Sequence, residues 1–366
     1  MRIAYLAVKG IPIGGGIEKL TEEIGLRMVS KGHQVVVYCS LDYGTTDCEF
    51  KGMEIKTVPS VNTKSMHKLS TCFNATLDVL KRKDFDIVHV HAVGPSIFSI
   101  LPRLKGIPTV VQTHGLEWKR DKWGAIGKTF FKLADYTAVY FPNCTTSVSK
   151  VQKDYYENKF GRKVIYIPTG VNRVKPRKPA WILEQGLLPN QYILFAARLV
   201  EEKGSHFLID AFRGLRTDMR LVIAGDALHA QKYKALLKEK AGRDKRIIFP
   251  GFVTGEPLEE LFSNAYLFCL PSTLEGLPIA LLEAMSYGNC CVASDIPENL
   301  EAAENFTYIF RNRNTQDLKQ VLEDLIANPE KVNEKKEAAR DHVLQNYSWD
   351  KITDQMESLY YSLLEK

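Results

Sequence analysis

No stretch of this 366-residue chain approaches the ~18 apolar residues that a membrane span needs, so no spanning helix is expected. Cysteine is sparse and scattered, with no Cys-x-x-Cys pair and no His/Cys cluster at zinc spacing. Cys290 and Cys291 are adjacent and in a strand would point to opposite faces. All seven cysteines are expected to be reduced, in a cytosolic protein. The opening run Arg2 to Val8 reads as a strand and lacks the charged segment and apolar core of a signal peptide. Low-complexity tracts and short-period repeats are absent. So is the dinucleotide fingerprint: with Gly14 and Gly16 as its first glycines, the third position falls on Lys19, which disfavours a nicotinamide dehydrogenase. No Ser/His/Asp or Cys/His set has recognisable spacing.

What remains is a globular composition, 45% hydrophobic and 25% charged, long enough for two domains with separate cores. Short β-branched runs at Ile3 to Val8, Val35 to Cys39, Ile87 to His91 and Thr109 to Thr113 alternate with segments of helical period. Ile17, Leu20, Ile24 and Met28 recur at three and four, and Gly32 supplies a stop. Val164 to Pro168 reads as the last strand of this half, and Thr169 to Pro179 as a linker. A second series follows at Tyr192 to Ala197, Leu221 to Gly225, Ile247 to Phe249, Tyr266 to Leu270 and Cys291 to Ala293. Such alternation predicts an α/β protein, two Rossmann-like domains with parallel sheets facing across a cleft. Ligands in such sheets sit at the carboxyl ends of strands, so the strand-to-helix loops carry the chemistry.

The net charge of +6 is unevenly spread. From Lys119 to Lys178 fourteen basic residues face only Asp121, Asp135, Asp154 and Glu157, with Phe130, Phe131, Tyr136, Tyr140 and Phe141 among them. This is either a solvated face over a normal core or a surface for anionic lipid or a lipid-phosphate acceptor. Nucleic acid is disfavoured because no reading motif accompanies the charge.

Glu275-Gly276-Leu277-Pro278, running to Glu283, places two carboxylates eight residues apart around a predicted helix start. Pro278 suits a first helical turn, whose free N–H groups favour a phosphate. A diphosphate there would lie between two acids able to accept from hydroxyls, which describes a sugar nucleotide. Arg198 and Lys203, after the first strand of the second half, can converge on one diphosphate; Glu201 and Glu202 offer the alternative of a balanced surface pair. The loop Gly10 to Gly16 serves either close backbone approach to an anion or a simple turn. His114-Gly115 ends a strand and can hydrogen-bond a ligand, or be structural. Trp118, Lys119, Arg120, Lys122 and Trp123 form a segment too polar for a core and suited to sugar rings or a lipid headgroup region. Asp84-x-Asp86 lies at the wrong end of its strand for a metal.

Together these motifs resemble the retaining glycosyltransferases of family 4, which share the two-Rossmann GT-B fold. The likeness runs from the glycine loop through Asp86-Ile-Val-His-Val-His91, His114 and Ile167-Pro-Thr-Gly-Val-Asn172. It continues through Arg198 to Gly204, Ala224-Gly225-Asp226, Phe249-Pro-Gly-Phe252 and Pro271-Ser272 into Glu275 to Glu283, ending at Tyr347-Ser-Trp349. Thr169 and Asn172 depart from the family's usual Asn-Gly-Val-Asp, and Cys290 stands where proline is common. The resemblance implies an N-terminal acceptor domain, 1–172 with a crossover helix at about 347–366, and a donor domain, 173–346. It implies that Glu275 contacts the transferred sugar and Glu283 the ribose, while Arg198, Lys203 and the backbone of Gly276 and Leu277 hold the diphosphate. Gly225 falls within the donor-binding set. Backbone near Phe252 and Val253 would meet the nucleobase, Gly15 and Gly16 would close on the phosphate, and His114 would contact sugar or acceptor. The Trp-rich segment resembles that of bacterial enzymes building surface polysaccharides.

The implied activity is a hexosyl transfer from a nucleotide-diphosphate sugar to a glycan or lipid-linked acceptor in cell-surface polysaccharide biosynthesis. It is retaining by front-face attack and needs no metal or other cofactor, and Glu275 positions the sugar without acting as nucleophile. The expected place is the cytoplasm, extending to a peripheral position on the inner face of the membrane. Competing readings are a GT-B-like sugar-nucleotide epimerase or hydrolase and a non-catalytic glycan- or membrane-binding adaptor.

Overall fold

The computed structural model describes all residues except 13–14, 44–45, 62, 64–65, 227–229 and 366. The chain divides into two compact units, Met1–Gly170 with Trp349–Lys366, and Val171–Ser348. Both chain ends therefore belong to the first unit.

The first unit is built on strands β1 (Arg2–Leu6), β2 (Gln34–Ser40), β3 (Cys48–Phe50), β4 (Met53–Val58), β5 (Ile87–Val90), β6 (Thr109–Thr113), β7 (Cys144–Ser147) and β8 (Ile165–Tyr166). Their spatial order is β3-β4-β2-β1-β5-β6-β7-β8. All neighbours are parallel except the β3–β4 hairpin. Crossover helices cover the sheet, so central strands are buried throughout, as β5 and β6 are. Strand β7 is an exception in composition: Thr145, Thr146 and Ser147 are buried hydroxyls. Thr145 donates to the Ala138 carbonyl at 2.7 Å and Ser147 to the Ser149 carbonyl at 3.0 Å, which offsets the desolvation of these two, while Thr146 Oγ1 has no partner among the described residues.

The C-terminal helix Trp349–Leu364 completes this unit. Its acids meet the basic end of helix Gly16–Ser30: Arg27 reaches Asp350 at 2.7 Å, and Lys31 reaches Asp354 and Glu357 at 2.7 Å each. Tyr360, fully buried, lies 3.3 Å from the Tyr5 hydroxyl and 2.6 Å from His89 Nδ1. Gly170 leaves room for the Trp349 ring, since a Cβ there would come within 2.6 Å of it.

The second unit is an all-parallel six-stranded sheet of β9 (Tyr192–Ala196), β10 (Arg220–Ala224), β11 (Ile247–Gly251), β12 (Leu267–Leu270), β13 (Cys290–Ser294) and β14 (Tyr308–Phe310). The order is β11-β10-β9-β12-β13-β14. The chain enters and leaves it side by side: Val171 bridges Ser348, and its N–H donates to the Tyr347 carbonyl at 2.7 Å. The order of the parallel strands reverses between β1 and β5 in the first sheet and between β9 and β12 in the second. Those are the crevices where an open parallel sheet binds ligands.

Candidate active site

In the second unit the loops leaving β9 and β12 meet at the reversal. The β9 loop passes Arg198 and a single turn Glu201–Lys203 before helix Ser205–Arg213. The β12 loop runs Pro271 to Pro278 into helix Ile279–Ser286, and Thr273 N–H donates to the Glu202 carbonyl at 2.8 Å, tying the loops together. Lys203 Nζ donates to both oxygens of Glu275, at 2.6 and 2.8 Å. Ser272 Oγ donates to Glu275 Oε1 at 2.6 Å, and Ser294 Oγ, at the end of β13, donates to the Ser272 carbonyl. Glu275 is only 7% exposed, so the loop holds a desolvated carboxylate between an ammonium and a hydroxyl.

Arg198 does not share this cluster: it is 58% exposed and pairs with Glu202 at 3.6 Å. The two cations expected to converge are thus separately engaged, one on Glu275 and one on Glu202. Pro278 sits at the N-cap with φ −78° and ψ 77°, one residue before the helix instead of in its first turn. Glu283 lies within the helix, half-buried, and Gly276 and Leu277 precede its N-terminus. Gly225 follows β10 with φ 142°, and a Cβ there would lie 1.9 Å from the Ala197 carbonyl oxygen, so only glycine fits between the β9 and β10 ends. Phe252 opens the loop after β11 and is 65% exposed, and Val253 beside it is half-buried.

In the first unit Gly15 is the N-cap of helix Gly16–Ser30, whose first turn carries the buried Glu18. Gly14 lies outside the described residues. Glu18 Oε1 accepts from the Lys9 N–H at 3.3 Å. His114 follows β6, half-buried, with Nε2 lacking a hydrogen-bond partner among the described residues. It belongs to an aromatic stack: His91 lies 5.6 Å from His114, 4.3 Å from His89 and 5.3 Å from Tyr5. The buried His91 makes no hydrogen bond of good geometry among the described residues, and the Gln112 side chain is the polar group beside it. Burial, with the Lys68 charge adding to it, pushes His91 down to about 3, and burial likewise holds His89 and His114 well below the usual histidine range. Burial and the facing Lys9 lower Lys68 as well, against the pull of Glu18. Neutral imidazoles and a weakened ammonium therefore stand together at the β1–β5 crevice.

The Trp-rich segment is folded on itself around Glu117. Arg120 approaches it at 2.9 Å and Lys122 at 3.2 Å, and Trp123 Nε1 donates at 3.3 Å. Burial would raise Glu117, but the charges of Arg120 and Lys122 outweigh it and hold the carboxyl at about 2. The segment is less exposed than its polarity suggests: Trp118 packs on a core of Leu116, Val139, Tyr156, Phe160 and Val164, and Trp123 on Phe131 at 4.9 Å. Lys119 stands over the Trp118 ring at 5.8 Å. Asp84 and Asp86 serve the N-terminal edge of the sheet, Asp84 pairing with Arg2 at 2.8 Å and Asp86 accepting its N–H at 2.7 Å. Residues not singled out from the sequence are Ser272, Glu18, Lys68 and His91. Of these His91 and Ser272 carried a visible sign, each lying in a sequence motif at a strand's carboxyl end.

A family model described as Glycosyltransferase Family 4 matches residues 14–175, and one described as Glycosyl transferases group 1 matches residues 184–342. This chain is a glycosyltransferase with a Family 4 domain followed by a group 1 domain. The transferase is 25% identical over 320 residues to the UDP-Gal:alpha-D-GlcNAc-diphosphoundecaprenol alpha-1,3-galactosyltransferase of Escherichia coli, covering 81% of each chain. A sucrose-phosphate synthase from Thermosynechococcus elongatus shares its fold with a TM-score of 0.83 at 18% identity, over 100% of this chain and 99% of that one. Anabaena HepE, solved with UDP and glucose, shares it with a TM-score of 0.82 at 18% identity, over 99% of the transferase and 100% of HepE. The fold is GT-B, two Rossmann-like α/β units in one chain.

Proposed function

We propose that the transferase moves a sugar, with retention, from a nucleotide-diphosphate sugar to a glycan or lipid-linked acceptor in cell-surface polysaccharide biosynthesis. The observation that carries the reading is the Lys203–Glu275–Ser272 cluster at the β9–β12 crevice. A departing nucleoside diphosphate gains negative charge as the anomeric bond breaks. Lys203, a swung-in Arg198 and the N–H groups at Gly276 and Leu277 would stabilise that charge, and electrostatic preorganisation of this kind is a large catalytic term. Glu275 would accept from sugar hydroxyls, Glu283 from the ribose, and the loops at Gly225, Phe252 and Val253 would border the nucleobase. With cations and helix N–H groups on the diphosphate, the proposed reaction requires no metal.

In the first unit Gly15 and Gly16 would bind phosphate through their N–H groups, and the acceptor would lie beside His114 and the Trp118–Trp123 segment. The acceptor class is supported by the E. coli relative, whose name specifies a diphosphoundecaprenol-linked sugar. A lipid-linked acceptor would place the enzyme in the cytoplasm against the inner membrane face. The test is a panel of nucleotide sugars, with a chelator present, in which released nucleoside diphosphate and product anomeric configuration are read together. An α-linked product from an α-donor supports retention. An inverted product, a covalent sugar–Glu275 adduct, or nucleotide release that ignores the acceptor would each overturn the mechanism.

A further inference from the structure

We propose that the solvent face of helix Ala125–Tyr140 is a docking surface for an anionic lipid bilayer. The helix buries Ala134, Asp135, Ala138 and Val139 against its own unit. Its other face presents Ile126 at 89% exposure, Leu133 at 63%, Tyr136 at 52% and Tyr140 at 38%. Spacings of seven, three and four put these on one stripe. Large apolar side chains in such a row, rimmed by charge, mark an interaction surface more than a solvated one.

The charge around this stripe decides what covers it. Lys132 stands over the Trp118 ring at 5.4 Å and Arg162 over the Tyr140 ring at 5.4 Å. Neither they nor Lys119 and Lys163 pair with a carboxylate among the described residues. The four local acids are already engaged: Asp121 with Lys128 at 3.9 Å, Asp154 and Glu157 with Lys153 at 3.7 and 2.7 Å, and Asp135 buried under Tyr155, Tyr156 and Lys159. Elsewhere in the unit the pattern is opposite, with Arg2 and Arg82 shared between Glu54 and Asp84, and Lys31 between Asp354 and Glu357. A cavity of about 360 Å³ beside Tyr140 is mainly polar and carries the cations Arg103, Arg162 and Lys163, with Leu359 and Leu363 also in its wall. Unmatched cations, aliphatic stripe and ring-bearing side chains together fit phosphate headgroups over acyl chains, where Tyr and Lys each keep one end apolar and one wet.

The inference deepens the lipid-linked acceptor reading, on which its purpose rests. Ile126 stands three residues after Trp123, so docking would bring the acceptor segment to the headgroup level.

The test sediments the full chain with phosphatidylcholine vesicles, with and without a third of phosphatidylglycerol, at low and high salt. Wild type is expected to bind only the anionic vesicles and to be released by salt. Lys132→Gln with Arg162→Gln should lower the partition coefficient about fivefold per charge removed. Ile126→Ser with Leu133→Ser should lower it at least about tenfold. Thermal midpoints and nucleoside-diphosphate affinity are expected to match wild type in both. Equal binding to neutral and anionic vesicles, or variants that bind as wild type does, would overturn the docking surface. A wild-type dimer that Ile126→Ser/Leu133→Ser converts to monomer without altering vesicle binding would assign the face to a second copy instead. Vesicle binding without any transfer to a lipid-linked acceptor would sink the acceptor reading and leave the docking surface standing.

Discussion

Lys203 and Glu275 neutralise each other: one ammonium serves both oxygens of a carboxylate that is 7% exposed. Each is therefore the other's reason for being tolerated at the end of the sheet, before any substrate is considered. The proposed roles in diphosphate and sugar binding are built on a pair that already exists, and this pairing separates stability from catalysis.

Lys203→Met is expected to lose about 3 kcal/mol of stability, because it strands a buried carboxylate. Lys203→Met with Glu275→Gln should recover most of that loss, since both charges go together. Turnover at saturating donor is expected to fall by about 10²–10³ in both variants. Urea midpoints and steady-state rates measure the two effects. A double variant whose rate recovers along with its stability would reduce the pair to a structural role.

Acid is expected to destabilise the first unit from about pH 6.5 downwards. His91 is neutral in the fold, with its pKa lowered to about 3, while in the unfolded chain it protonates near its ordinary value. The unfolded state thus binds more protons below about pH 6.5, and the contribution is full above that pH and lost as pH falls towards 3. At about pH 5 His91 alone should cost about 2 kcal/mol. His91→Gln should flatten the pH dependence of the tryptophan-monitored urea midpoint; an unchanged slope would refute the assignment.

Gly170→Ala would place a methyl group 2.6 to 3.0 Å from three atoms of the Trp349 ring. Overpacking of this kind costs about 1–3 kcal/mol. Loosening is expected at the C-terminal helix first, as faster amide exchange in residues 349–364 than elsewhere.

Tyr360→Phe removes the hydroxyl beside His89 Nδ1 and leaves that nitrogen buried without a partner. The expected loss is about 1–3 kcal/mol. A thermal midpoint equal to wild type would show that water replaces the hydroxyl.

The strands were legible where apolar runs are short and β-branched. Thr109 to Thr113 is β6, and Tyr192 to Ala197 contains β9. Strand β7 was not, because Cys-Thr-Thr-Ser carries no apolar signal and becomes a strand only through its neighbours and its bonded hydroxyls. The β3–β4 hairpin was hidden too, its edge strand exposed and mixed in polarity. Glu275 in the loop and Glu283 in the helix lie as the spacing predicts. What spacing could not reveal is partnership. Lys203 and Arg198 are five apart in sequence, yet one turns inward to Glu275 and the other outward to Glu202, beside the point where Thr273 ties the loops together. The tryptophan segment misled for a related reason. Its alternating charges read as a polar stretch, but they close on Glu117 and leave the Trp118 ring against apolar neighbours.

Because Val171 and Ser348 lie side by side and the first unit reclaims the chain only at Trp349, order of synthesis and order of completion are reversed. The N-terminal sheet is made before the second unit, but Tyr5 and His89 wait for Tyr360, which is synthesised after the whole of it. The second unit has all its strands by then. A nascent chain stalled after Ser348 is expected to protect residues 171–348 from protease while residues 1–170 remain open to cleavage. Early protection of both would mean that the last helix only decorates a unit already formed.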